Sequence, residues 1–174
     1  MVSGLEEKQK WDLDRLTNGE YAALRRAAGS GEFDAAAWRA FYKVDFLGEK
    51  GEDERFTALC MSCLWRRTDV PTVLPMEECL RNLCLQKGDD GKSFAKRIDA
   101  LLETGWSRDG YFQGKLLNLV KIIRSDGRFK PDFEKLADDL CKWNYDSRSV
   151  QRHWLSVIYQ NRNDANEEEH ENDA

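Results

Sequence analysis

The stretch Lys115–Arg128, KLLNLVKIIRSDGR, decides how the rest of the chain is read, because it joins the strongest apolar period in the sequence to a basic edge. At about 100° per residue, Leu116, Leu119, Val120, Ile122 and Ile123 fall on one face, the pattern of a helix laid against a core. Leu117 widens that face. Arg124, Arg128 and Lys121 lie next to Leu117 in angle, so three cations line one border of the apolar stripe. Asn118 and Ser125 complete the wet side. Gly127 is the expected end of the helix, and Pro131 forbids its continuation.

Outward from this helix the same period recurs. Upstream, Ser93 is the expected cap of FAKRIDALLETG, which buries Phe94, Ile98, Leu101 and Leu102 while Lys96 and Arg97 flank that stripe on different sides. Before it, across a loop at Gly88–Gly91, Met76 to Leu85 turns Leu80, Leu83 and Cys84 inward. A longer helix from Glu52 to Arg67 repeats Phe56, Leu59, Cys60, Cys63 and Leu64. Ala35 to Tyr42 carries the bulky cluster Trp38, Phe41 and Tyr42. Further back, Thr17 and Glu20 stand at the reciprocal positions of a capping box for YAALRRAA, which ends at Gly29-Ser-Gly31. Arg25 and Arg26 are adjacent and point about 100° apart, so they cannot both face a core, and both are expected at the surface. Downstream, Asp132 to Trp143 aligns Phe133, Leu136, Ala137, Leu140 and Cys141. Ser147 is the expected cap of a last helix built on Val150, Trp154, Val157 and Ile158. No strand-like alternation bounded by turns is present. The expectation is an all-α fold, a compact bundle of about eight or nine helices arranged as two packed lobes. Those lobes are placed roughly at 1–90 and 91–162.

With 41% hydrophobic and 34% charged residues, six Trp and three Pro, the composition is that of a helix-rich globular chain. The formal charge of −5 is unevenly spread. After Arg162 come six acids and no Lys or Arg, and 163–174 reads as a disordered acidic tail. With that run set aside, 27 Lys and Arg face 26 acids, a body close to neutral. Between Lys92 and Lys130 nine bases face four acids, a local excess where an anionic partner is to be sought. No apolar run of about 18 residues exists and the N-terminus lacks a signal-peptide centre, so neither a membrane partner nor secretion is expected, and the cytoplasm is.

Catalytic material is sparse. His153 and His170 are the two histidines, and no Walker A, G-x-G-x-x-G, G-x-S-x-G or H-E-x-x-H pattern occurs. Cys60 and Cys63 form C-x-x-C, but both fall on the apolar stripe of a helix, where Cys behaves as a small hydrophobe rather than a zinc ligand. Asp138 and Asp139 are more simply solvated than Mg²⁺-binding. The expectation is no enzyme, no catalytic residue, no metal and no cofactor. The bases remain. Lys121 has Asp126 only at i+5, Arg124 has Val120 and Arg128 at i±4, and Lys92 faces Lys96, so pairing along the helices is incomplete. Phosphate-backbone binding is one reading of that excess. The other is a helical protein–protein adaptor, docking through exposed aromatics such as Trp106, Tyr111 and Phe112, with no direct nucleic-acid contact.

Six segments in this order and spacing resemble the CasB family, small subunits of the type I-E CRISPR Cascade complex. They are LTNGEYAALRRAA (Leu16–Ala28), AFY (Ala40–Tyr42), GKSFAKRIDALL (Gly91–Leu102), LLNLVKIIRSDGR (Leu116–Arg128), LADDLCKW (Leu136–Trp143) and VQRHWLSVIY (Val150–Tyr159). The resemblance covers most of the chain, leaving out Val44–Asp53 and the tail, and frames 1–162 as one CasB-like domain. It implies a purely helical, two-lobed, non-catalytic protein present as two copies in a crRNA-guided antiviral surveillance complex, beside its backbone and large subunits. It also implies contact with crRNA and target DNA, above all the displaced strand of the R-loop. Basic surface residues would make these contacts, which are carried here onto Arg25, Arg26, Lys96, Arg97, Lys121, Arg124 and Arg128.

Overall fold

The structure, a computed structural model, describes residues 11–69, 71–87 and 91–171, with side chains to Gln160. Of the tail expected at 163–174, residues 163–171 continue the last helix and 172–174 lie outside this description; of the loop expected at Gly88–Gly91, 88–90 lie outside it and Gly91 itself opens a helix. A short 3-10 turn, Leu13–Arg15, precedes α1 (Asn18–Ala27), α2 (Ala35–Val44) and α3 (Glu52–Ser62). Then come β1 (Thr72–Leu74), α4 (Met76–Lys87), α5 (Gly91–Leu102) and α6 (Tyr111–Asp126). The chain finishes with β2 (Phe129–Pro131), α7 (Phe133–Cys141) and α8 (Ser149–Glu171). Eight helices among the described residues make the fold all-α, as the periodicity predicts. No helix among them is long and apolar enough to cross a membrane.

Helix starts follow local chemistry. Thr17 accepts from Glu20 N and Glu20 returns the bond to Thr17 N, completing the capping box ahead of α1. Asp34 and Asp132 cap α2 and α7 with a single side-chain bond each, accepting from Ala37 N and Lys135 N. Two expected caps do not form. α5 begins at Gly91, which places Ser93 inside the helix, and α8 begins at Ser149 after Arg148 at φ 53, which leaves Ser147 outside it.

Packing is divided by α3. Leu59, Cys60 and Cys63 face one apolar cluster, with Leu16 ahead of α1 and Tyr21, Leu24, Ala37, Phe41 and Val44 from α1 and α2. Ala58, Met61, Leu64 and Trp65 face a larger one built by α4 to α8. Within the larger cluster an edge-to-face series runs from Trp106 to Phe112 (5.3 Å), Trp143 (5.1 Å) and Trp154 (5.3 Å). Both fully buried indoles keep a partner for the N–H: Trp143 donates to Thr104 O and Trp154 to Asp139 Oδ2. The adaptor reading is corrected here, since Phe112 is a core residue and Trp106 is half-buried against it. Of the three aromatics named for docking, only Tyr111 is exposed.

Two polar networks hold the bundle. Asp45 and Arg55, both under a tenth exposed, form a two-pronged pair at 2.8 and 3.0 Å, and the guanidinium also donates to the carbonyls of Lys50 and Gly48. The loop between α2 and α3 is thereby tied to α3. At the α4–α7–α8 junction Lys135 bridges Glu77 (2.9 Å) and Asp139 (3.0 Å), with His153 3.2 Å from Glu77. Asp139 is therefore occupied rather than solvated.

Two further differences from the sequence reading share one cause, the connection between α3 and α4. α3 ends at Ser62 instead of Arg67, and the chain turns through Leu64, Trp65 and Asp69. It then enters β1, which pairs in parallel with β2, Thr72 opposite Phe129 and Leu74 opposite Pro131. Three-residue strands are too short to show an alternation.

Asp45→Ala is expected to lower unfolding stability by about 3 kcal/mol, because it leaves a buried guanidinium without its counter-charge. Thr17→Ala, which removes one cap, should cost about 1 kcal/mol. Urea denaturation followed by circular dichroism separates the two; equal small losses would show that the buried pair contributes no more than a cap.

Candidate functional site

The central helix carries its cations where its apolar face stops. Gly110 (φ 86) starts α6 and Gly127 (φ 82) closes it, its N–H reaching Ile123 O, as the sequence predicts for the C-terminus. Phe112, Leu116, Leu119, Val120 and Ile123 are buried, while Lys121 and Arg124 are exposed. Leu117 is half-buried where α1 ends: a side chain on Gly29 (φ 71) would run into it. The turn after α1 thus passes close over Leu117 of α6.

Two open grooves flank the outer side of α6 and meet at Ile122. One, about 610 Å³, lies against α4 and is lined by Leu83, Gln86 and Lys87 together with Lys121, Ser125 and Asp126. The other, about 590 Å³, lies against α5, where Arg97 and Ala100 face Lys115, Asn118 and Leu119. Four cations therefore border a continuous surface in which Asp126 is the one lining acid among the described residues. Lys115 sits over the Tyr111 ring at 4.5 Å and Lys87 over Phe94 at 5.5 Å, which holds their stems against aromatic faces.

The seven site residues expected from the sequence are not gathered in one place. Arg97 and Lys121 enter the two grooves. Lys96 and Arg124 are exposed on the same helices. Arg128 is engaged: it pairs with Asp126 at 2.8 Å, donates to Gln86 at 2.7 Å and lies over Phe129 at 5.2 Å. Asp126 thus neutralises Arg128, not Lys121. Arg25 belongs to a separate locus, donating to Cys63 O at 3.0 Å over the Tyr21 ring. Arg26 is exposed beside it. Among the described residues Arg25, Arg26, Lys96, Arg97, Lys121 and Arg124 take part in no ion pair.

Sequence reasoning missed Lys87 and Lys115 in the grooves and Arg66 and Arg67 beside Arg25. Lys115 lies on the opposite border of the apolar face from Lys121, and only the placement of α5 turns that border into a groove wall. Arg66 and Arg67 were read as the end of a long helix. In the structure they follow its end, and Arg67 stands 4.7 Å over Tyr21 while donating to Leu16 O at 2.6 Å. With Asn18 and Thr68 they line a third recess of about 300 Å³.

Burial sets the titration of the groups beneath this recess. It pushes the Tyr21 phenol up to about 12 and the Cys63 thiol up to about 11, and it lowers Lys130, which stands over Trp65 at 6.0 Å. Cys60, Cys63, Cys79 and Cys84 all lie in the apolar clusters. Burial holds the Cys60 thiol well above its ordinary value and Cys79 up to about 12, so these are protonated core side chains. Among the described residues no group of three or more His, Cys, Asp or Glu is placed to hold a metal ion.

A sequence profile described as CRISPR-associated protein Cse2 matches residues 20–159. No curated protein matches the chain by sequence. Among solved structures, a chain of a CRISPR RNA-guided surveillance complex superposes with a TM-score of 0.69 at 20% identity, over 87% of each chain. The crystal structure of M. ruber CasB matches with a TM-score of 0.64 at 20% identity, over 89% of this chain and 90% of that one. CasB from Thermobifida fusca matches at 0.59 and 21% identity, over 81% and 84%. These likenesses are in the fold.

The raised Tyr21 value has a defined sign. A phenol that holds its proton more tightly in the folded state contributes stability that is full below its ordinary value of 10.0 and is lost as pH climbs toward about 12. Ultraviolet titration should therefore show Tyr21 ionising late, beside Tyr42, which its hydrogen bond to Glu52 also raises, and alkaline melting curves should steepen across the Tyr21 window. Tyr21→Phe should remove both effects; if the late phenol persists in that variant, it belongs to another tyrosine.

Proposed function

The chain belongs to the family of the CRISPR-associated protein Cse2, and from that membership we propose that it is the small, non-catalytic subunit of a crRNA-guided type I-E surveillance complex in the cytoplasm. In this reading it works in antiviral defence beside the backbone and large subunits and a second copy of itself. Its task is to hold nucleic-acid backbone, the crRNA and target path and above all the displaced strand, and so lengthen the life of the R-loop. The observation that carries the reading is the double groove along α6, bordered by Lys87, Lys115, Lys121 and Arg97, with Arg124 exposed beside it.

Physical reasons favour phosphate over a specific base. The cations sit on flexible stems above a helix with a buried opposite face, so their direction is fixed while their reach adapts. The contacts expected are those that release counterions. The second reading, an adaptor without nucleic-acid contact, is favoured by the exposed Phe46 and Leu47. Within a multi-subunit assembly such side chains serve protein contacts and the grooves serve the backbone.

The test is the salt dependence of target-strand binding by the reconstituted complex. Each phosphate neutralised on a single strand contributes roughly 0.7 to the slope of log affinity against log salt. The triple variant Arg97→Ala, Lys121→Ala and Arg124→Ala should flatten that slope by about two units and shorten R-loop lifetime, with little change across target sequences. Arg128→Ala alone should change the slope little, because Asp126 already compensates that charge. A triple variant that assembles normally with an unchanged slope and lifetime selects the adaptor.

A further inference from the structure

The last helix continues past the core it is built on. Val150, Trp154 and Ile158 are buried, yet α8 runs on to Glu171, and its final turns hold Asp164, Glu167, Glu168, Glu169 and Glu171 with no Lys or Arg after Arg162. Alone, that is an unfavourable way to end a helix. The dipole favours cations at a C-terminus, and Asp164 with Glu168 and Glu167 with Glu171 set like charges four residues apart. A helix end of this composition calls for a cationic surface to offset its charge.

The contacts of α8 lead to such a surface. The helix packs along α4 from the His153–Glu77 contact onward, and six residues later Tyr159 donates to Asp99 Oδ1 of α5 at 3.3 Å. Lys96 and Lys92 stand three and seven residues before Asp99, on the same face of α5. Both are exposed, and among the described residues neither forms an ion pair. Only 88–90 separate α4 from α5, so α5 runs back along α4 and Lys92 lies near the end of α4, where Lys87 is exposed. Helix α8 heads for the same end: at 1.5 Å per residue, 164–168 lie roughly 6 to 12 Å beyond Gln160. We propose that the acidic end of α8, Asp164 to Glu171, docks over Lys92 and Lys96 of α5 and Lys87 of α4 as an internal polyanion, which an incoming phosphate backbone has to displace. Lys87 borders the groove between α4 and α6, so the docked end competes at the rim of that groove. A cover held by exposed charge pairs is screened by salt and exchanges readily, and a long backbone that engages many cations at once displaces it where a short anion does not.

The docking stands apart from the proposed nucleic-acid role, and only the displacement rests on it. Full-length protein without nucleic acid is treated with a water-soluble carbodiimide, which joins a carboxylate to an amine in direct contact, and the joined peptides are mapped by mass spectrometry. Cross-links from Lys87, Lys92 or Lys96 to the acids between Asp164 and Glu171 are expected at low salt and should vanish at about 1 M salt, where the screening length falls to about 3 Å. A full-length variant carrying Glu167→Gln, Glu168→Gln, Glu169→Gln and Glu171→Gln should bind a single-stranded oligothymidylate about tenfold more tightly at low salt, with the difference lost at high salt. No cross-link, or cross-links of these lysines to Asp89 and Asp90 alone, overturns the docking. Cross-links together with equal affinity of the two proteins overturn the displacement. If the cross-links form and neither protein binds the oligonucleotide, the displacement falls with the nucleic-acid reading and the docking is upheld.

Discussion

A helix buried on two sides has few places to put polar groups, and α3 meets that constraint by sorting them along its length. Its first turn carries Glu52, Asp53 and Glu54, where the helix dipole favours negative charge and solvent is within reach. Its last turns are Ala, Leu, Cys, Met and Ser, small or adaptable side chains that fit between two clusters. Arg55, between these regions, is retained because Asp45 and two loop carbonyls meet its donors. Remove that match and the loop from α2 loses its anchor, so both clusters depend on one pair of charges.

The same accounting of partners separates structural from available charge elsewhere. A chain with a formal charge of −5 can still present cations, because what matters to an incoming phosphate is which of them are already neutralised. Lys43, Arg55, Arg108, Arg128 and Lys135 are engaged with acids. Among the described residues Arg97, Lys121 and Arg124 are not, and α4 and α5 shape the ground around them. Helix α6 thus packs on one side and, among the described residues, carries unpaired cations on the other.

What was legible in the letters was what depends on near neighbours. The capping box of Thr17 and Glu20, the closing Gly127 and most of the stripes of α5 to α8 involve residues within a turn or two and form as their spacing requires; Cys141, expected on the stripe of α7, is exposed where that helix ends. What was illegible depends on distant chain. Ser93 has the right chemistry for a cap but not the right place, because α5 starts two residues earlier. Phe112 looked available for docking until Trp106 and Trp143 closed on it. Lys87 and Lys115 became groove residues only when α4 and α5 were set beside α6, and Arg128 left the available group because Gln86, 42 positions away, joined Asp126 in holding it. The family resemblance recovered the architecture but not this sorting.

The short parallel ladder between Thr72–Leu74 and Phe129–Pro131 carries a kinetic consequence beyond its size. Parallel strands need a crossover, and here the crossover is α4, α5 and α6, so the ladder can close only after those helices have found each other. Closing so long a loop is entropically unfavourable, and three residue pairs repay little of it. The ladder therefore acts as a late latch in folding. Its formation is slow relative to helix growth, and once formed it joins the start of α4 to the start of α7, so that the intervening helices open together rather than one at a time.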